Sequence, residues 1–271
     1  MVEDLISTHR KRELRMKAEY TAIGGFAILS FIAIWQFLSS SDFGLYYLPK
    51  PESVAKAFSW AIFNKDILGY TLGEHLHASL VRVLYGSILA ILLAVPLGLV
   101  IGYSKYVEAS TTPFVEFFRT IPPLAWLPIA IALFQDIWES VFIVFLGVFF
   151  PVLLSTISGV KDVEKTLIDV ARTLGAGKIA LFTKVIFPYS VPYIMTGIRV
   201  GLGIGWMTIV AAEMLGVRGG GVGICLWTYS TIGRMDIVFA YMLLIGIVGF
   251  FMIKTFEFTE KRLAKYWGFS R

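Results

Sequence analysis

The chain has 271 residues, of which 57% are hydrophobic and only 16% charged, and its mean hydropathy is +0.75. Soluble domains carry about half apolar and roughly a quarter charged residues, so the excess here has to face lipid. The single cysteine, Cys225, excludes an internal disulfide and a multi-cysteine metal centre, and the basic balance (pI ≈ 9.2) belongs to residues flanking apolar spans, which points to a membrane and not to nucleic acid.

A membrane span needs about 20 mostly apolar residues to cross ~30 Å of hydrocarbon. Basic residues from Arg10 to Lys17 precede a first span at 20–39, which ends at Ser39-Ser40-Ser41 without a small-x-small cleavage pattern. It reads as a retained anchor, not a secretory signal. In the outer loop that follows, "LPKPESVAKAFSWAIF" places Val54, Ala57, Phe58 and Ala61 at helical spacing after Pro51. That pattern predicts a short helix lying on the outer leaflet. His75 and His77 in "GEHLH" are two apart and so diverge on a helix; no metal site is expected there.

The second span, 78–103, carries Arg82 near its outer end, where the side chain can snorkel to the interface. The third, 112–134, is interrupted by Pro113, Pro122, Pro123 and Pro128. Proline removes an amide donor and clashes with the preceding turn, so this span should be kinked or broken. Breaks survive in membranes only where they are buried in protein or face a watery cavity. This span therefore lies near whatever moves through the protein, and Arg119, Pro122, Pro123 and Trp126 are candidates to line the path.

After a fourth span at 138–160 comes "DVARTLGAGKIALFTKVIFP", residues 169–188. Gly177-Lys178 hints at a phosphate loop, but that motif needs a glycine where Arg172 stands and a hydroxyl where Ile179 stands. The chain has no nucleotide site of its own. Val163, Leu167, Val170, Ala171 and Leu174 form one helical face, with Asp162 as N-cap, Glu164 in the first turn and Gly175 at the left-handed C-terminal position. A second helix with Ile179, Phe182, Val185 and Ile186 is closed by Pro188. The pattern predicts an amphipathic hairpin, and by itself it suits either a membrane surface or a partner's groove.

The fifth span, 190–214, holds Gly197, Gly201 and Gly205 at a spacing that lets helices approach closely. It also holds the further path candidates Arg199, Trp206 and Glu213. "VRGGGVGICLW", 217–227, reads as a flexible outer turn before a last span at 237–256. With the N-terminus inside, the inner segments carry 16 Lys and Arg and the outer loops 5, counted by position. That bias gives about six spans with both termini cytoplasmic. The chain divides into a basic N-terminal segment (1–19), a transmembrane region (20–260, with the inner loop at 161–188) and a tail (261–271).

The stretch 169–188 resembles the EAA loop of ABC importer permeases: Asp169-Val170-Ala171 stands for E-A-A, Gly175 for the glycine, and Phe187-Pro188 for the closing pair. "ASLVRVLYGSILAILLAVPLGLVIGYS", "FFRTIPPLAWLPIAIALF", "FLGVFFPVLLSTISGV" and "TGIRVGLGIGWMTIVAAEM" are similar, in the same order and spacing, to the branch importing nitrate, bicarbonate, taurine, alkanesulfonates and thiamine precursors. Val170 replaces an alanine, Gly177 a frequent serine, and Gln135-Asp136 stands where many members have glycine.

The resemblance implies an all-α, type I importer permease in the cell membrane of a bacterium or archaeon. Its inner loop would be a coupling helix for an ATPase subunit, with Asp169, Val170, Ala171, Arg172, Gly175, Ala176, Phe182 and Pro188 at the contact. It also implies a second permease copy, an extracytoplasmic binding protein, and ATP with magnesium held only by the ATPase partner. No catalytic motif argues for a membrane enzyme. An ion-gradient-driven transporter or channel is the alternative, but such proteins need intramembrane carboxylates, and Glu213 is almost the only one near a span. Arg82, Arg119 and Arg199 without matching buried acids suggest a small anionic solute.

Overall fold

The computed structural model describes residues 2–40, 47–217 and 219–266, without the side chains of residues 2–14, 17, 261 and 263–266. Arg218 of the outer loop and residues 267–271 of the tail lie outside it. The regular elements among the described residues are all helices, with no strand. Helix α1 is Val2–Ser40, α2 Pro51–Phe63, α3 Leu72–Tyr103, α4 Lys105–Arg119 and α5 Leu127–Leu133. These are followed by α6 (Trp138–Lys161), α7 (Lys165–Thr173), α8 (Lys178–Leu181), α9 (Phe187–Met214), α10 (Val222–Thr231) and α11 (Met235–Tyr266). Five helical segments are long and apolar enough to span a membrane: Ala18–Ser40, Leu72–Tyr103, Trp138–Lys161, Lys178–Met214 and Met235–Glu260. The sixth is broken as expected, since α4 and the Pro123–Leu133 segment meet at 87°. Pro113 stays inside α4; the break falls at 120–122, where Pro123 starts a 3-10 turn.

α6 is the axis of the bundle, held between α3 and α9, with Val144, Val148 and Val152 fully buried. Both neighbours approach it through glycine. A Cβ at Gly86, Gly98 or Gly102 of α3 would lie within 2.7 Å of Val144, Thr156 or Val160. On α9, Gly197 rests on Ser155, and Gly201 and Gly205 on Val148. The glycine spacing in the fifth span is thus used to pack helices inside the bundle.

Two loops differ from expectation. α2 does not lie on the leaflet: Val54, Ala57 and Ala61 are buried and turned into the bundle, against α11 and α3. The apolar face found there a protein neighbour, which a periodicity argument cannot distinguish from lipid. The second half of the stretch 217–227, which reads as a flexible turn, instead opens α10 (Val222–Thr231), with Val222, Cys225 and Tyr229 buried. At Asp136 the backbone is left-handed (φ 57°), the conformation that glycine adopts most easily.

Candidate functional site

The hairpin between α6 and α9 is built as a small capped unit. Its first helix, α7, starts at Lys165, later than the sequence pattern suggests, because Asp162 is still the last cap of α6 and Val163 is buried in the turn. Its end is a Schellman motif: the amide of Gly175 donates to the Arg172 carbonyl (2.9 Å) and that of Ala176 to the Ala171 carbonyl (3.0 Å), with Gly175 at φ +82°. Glycine reaches this angle without a Cβ penalty.

The single apolar face expected of α7 is divided. Ile168 and Ala171 turn toward the bundle, as do Leu181, Phe182 and Val185 from the second arm. The ring of Phe182 meets that of Tyr103 edge-on at 5.7 Å between centroids. Leu167 and Val170 instead face outward with Leu174 and Ile179, which are 82% and 81% exposed. Asp169 and Arg172 stand exposed beside them. The tip therefore offers apolar side chains within a polar rim.

Pro188 does not close the second helix. Helix runs from Lys178 to Met214 without interruption, and residues Phe182–Ile186 take the wider π form just before the proline. Pro188 has no amide for the Lys184 carbonyl, and its ring would crowd that carbonyl in an ordinary α-turn. A π-turn is a local way to accommodate such a fault.

At the broken span, Arg119, Ile121, Pro123 and Trp126 converge on a cavity of about 260 Å³ whose other walls come from α6 and α9. Pro122 caps the 3-10 turn beside it. Arg119 makes two contacts with Glu116, at 2.8 Å from Nε and 2.6 Å from Nη2, and both side chains are about half exposed. The break thus sets a guanidinium and an indole over one hollow, as a break facing a cavity allows.

The other path candidates stand elsewhere. Trp206 is buried, and its indole donates to the Ile245 carbonyl of α11 at 3.1 Å. Arg199 faces Glu260 at 3.3 Å. Glu213 belongs to a buried polar cluster at the far end of α9. There Arg82 does not snorkel: it is 3% exposed, and its Nη1 donates to Glu213 (2.8 Å) and to the Gly220 carbonyl (2.5 Å). Ser79 donates to the Glu213 carboxylate, which also accepts the Gly223 amide at 2.9 Å.

This arrangement follows helix electrostatics. Glu213 accepts the Gly223 amide at the amino end of α10, where a negative charge is favoured, and Arg82 supplies its counter-charge. Each of the three arginines thus has an acid partner, so they give no count of unmatched positive charge. The pairing was detectable in principle: Arg82 and Glu213 fall near the outer ends of their spans and so at similar depth.

Beside this cluster, single ligand atoms of Asp66, His75 and Cys225 all lie within 4.8 Å of one another. The arrangement favours hydrogen bonds over a metal. His75 Nδ1 accepts the Gly221 amide at 2.9 Å, so the ring proton sits on Nε2, facing Asp66 Oδ2 at 3.0 Å. A metal would need a lone pair at that nitrogen. Burial pushes the Cys225 thiol up from its ordinary value, so it stays protonated and points at the same carboxylate, 3.6 Å away. His77, as expected, diverges to an exposed position.

Comparison with known proteins fits this architecture. Residues 78–265 match the family model of the binding-protein-dependent transport system inner membrane component. A putative ABC transporter permease of Methanocaldococcus jannaschii is 39% identical over 85% of this chain and 86% of its own. The nitrate import permease protein NrtB of Synechocystis is 36% identical over 86% of each chain. The taurine transport system permease protein TauC of Escherichia coli is 32% identical over 91% of this chain and 90% of its own. Among solved structures, the inward-facing MetNI methionine ABC transporter superposes with a TM-score of 0.60 at 17% identity, over 74% of this chain and 96% of that one, and so shares the fold. The chain therefore belongs to the binding-protein-dependent transport system inner membrane components: it is a multi-pass permease subunit of an ABC importer.

Proposed function

We propose that this permease lines the passage for a small oxoanion, and that the passage runs by the Arg119 cavity. The observation that carries the reading is the meeting of Arg119, Pro123 and Trp126 over one hollow at the only broken span among the described residues. The permease relatives named for nitrate and taurine support an oxoanion class. The Glu116 pairing shows how Arg119 engages an oxygen anion, and a guanidinium at a half-exposed site can exchange one such partner for another.

On this reading two copies of the chain work with two ATPase subunits, which hold ATP and magnesium, while an extracytoplasmic protein delivers the solute to a cell membrane of bacterial or archaeal type. The exposed apolar tip of the hairpin is the surface that suits an ATPase groove, with Asp169 and Arg172 as rim contacts. ATP-driven closure of the ATPases would move the hairpins and reopen the spans on the other side. An ion-gradient mechanism finds less support: of the two acids buried within spanning helices among the described residues, Glu213 is committed to Arg82 and Glu139 sits in the first turn of α6.

The test is uptake of nitrate and of taurine by vesicles holding the complete transporter. Uptake should require ATP, and Arg119→Gln should lower it at least tenfold while complex yield and basal ATPase activity hold. Arg119→Lys should recover part of the loss. Wild-type uptake by Arg119→Gln would remove this side chain from the path, and a neutral or cationic solute would overturn the oxoanion class.

A further inference from the structure

The Arg119 cavity continues. A second hollow of about 450 Å³, lined by Leu154, Ser155, Ser158, Pro192, Tyr193 and Thr196, lies in the same groove between α6 and α9. The two share Leu154 as a common wall. Along α6 the lining runs from Leu146 through Leu154 in the first to Ser158 in the second, so the groove heads toward the hairpin end of the bundle.

The chemistry changes along it. The first hollow offers a guanidinium and an indole; the second has no charged residue in its lining and four hydroxyl side chains. Those hydroxyls are not equivalent. Thr196 already donates to the Pro192 carbonyl at 3.0 Å, and the Tyr193 hydroxyl interacts with Asp162 at the hairpin end. Ser155 and Ser158 are the groups left to offer donors to a passing anion, and Asp162 lies beyond them.

Both walls also contain a proline inside a helix, Pro151 and Pro192. Neither has an amide for the carbonyl four residues back, at Gly147 and Pro188 respectively. Gly147 lines the first hollow. Helical carbonyls without their usual donor are tolerated at membrane depth where they line water or are covered by protein.

We infer that the α6–α9 groove is one aqueous passage, with Leu154 as its neck and the Ser155–Ser158 stretch as the station from which an oxoanion is released. This rests on the reading of the Arg119 hollow as the passage. A guanidinium holds an anion tightly, whereas hydroxyls replace water contacts without trapping it, and the carboxylate of Asp162 disfavours lingering. Affinity falling along the path is what conduction out of a site requires.

The experiment uses the assembled transporter in vesicles, with single replacements Ser155→Cys, Ser158→Cys and, as a control, the exposed Leu92→Cys. The native cysteine, Cys225, is buried and gives little background. The water-soluble anionic reagent sulfonatoethyl methanethiosulfonate should modify positions 155 and 158 at least tenfold faster than position 92, and modification should stop uptake. Leu154→Trp should lower maximal uptake at least tenfold while Ser158→Cys keeps its reactivity from the hairpin side.

Reaction of 155 and 158 only with lipid-soluble N-ethylmaleimide would place the groove against lipid. Reaction with neither reagent would show it covered by protein. Either result overturns the passage. Because labelling needs no transport, such a failure is distinct from a failure of ATP-driven oxoanion uptake.

Discussion

The two ends of the helical run from Lys178 to Met214 sit in opposite surroundings. At the Met214 end, Arg82, Glu213, Ser79 and His75 are buried and bonded to one another and to the glycine loop at 220–223. At the Lys178 end, Leu174 and Ile179 stand almost wholly in the open, with no internal partner surface to cover them. Polar groups inside and apolar groups outside invert the usual order, and each inversion has its own cause. The buried charges are compensated within the chain by helix ends and by each other. On the reading proposed above, the exposed apolar tip is left for an ATPase subunit, so the first region should answer to tests of folding and the second to tests of assembly.

The largest expected effect breaks the buried end. Glu213→Gln leaves the Arg82 guanidinium buried without its counter-charge, a loss of ~3–5 kcal/mol. The thermal unfolding midpoint of the purified chain in detergent should fall accordingly, with reduced yield. Arg82→Met combined with Glu213→Met removes both charges and should recover more than half of the loss. A double variant less stable than the single one would show that the pair is not the source of the stability.

A middle effect is expected at the hairpin. Gly175→Val puts a β-branched side chain where φ is +82°, a strain of ~1–3 kcal/mol confined to the tip. The spans should insert normally, while co-purification with the ATPase subunits and solute-stimulated ATP hydrolysis should drop at least fivefold. Ala171→Glu, which places a charge on the half-buried inner side of α7, should act the same way. Wild-type assembly and transport in both variants would deny the hairpin its coupling role.

The smallest effect on folding sharpens the contrast. Leu174→Ser alters a side chain that is 82% exposed, so the unfolding midpoint should correspond to a change within ~0.5 kcal/mol. Affinity for the ATPase subunits, measured by titration in nanodiscs, should still weaken several-fold. A stability loss as large as that of Glu213→Gln would erase the distinction between the two ends.

How much of this was legible in the sequence follows from the range of the interactions. Spans, the broken third span and the Gly175 cap depend on residues within a turn or two of each other, and composition and spacing report them directly. The Arg82–Glu213 pair joins positions 131 residues apart, and no local pattern encodes it. α10 is not legible locally because its glycine-rich start looks like a turn, and what orders it comes from elsewhere: Ser79 accepts the Val222 amide at 3.0 Å, and Glu213 that of Gly223. The outward turn of Leu167, Val170 and Leu174 was hidden for a related reason. Helical spacing says which residues share a side, but not whether that side meets the bundle or stands free. At Asp136, by contrast, a residue read only as a departure from the family's glycine marks the left-handed backbone that a glycine would have announced.

The unbroken passage of helix through Pro188 has a mechanical meaning. From Phe187 to Met214 it forms a shaft of 28 residues, roughly 40 Å long at 1.5 Å per residue. Pivoted at the π-turn, such a shaft swings its far tip by nearly 4 Å for each ~5° of tilt. That exceeds the length of the hydrogen bonds holding Glu213, so a rigid α9 tilts about this point by only a small fraction of that angle while the clasp at the opposite face stays closed. A chain with a true stop at Pro188 would have two jointed pieces there, and the joint would absorb the motion before it travelled.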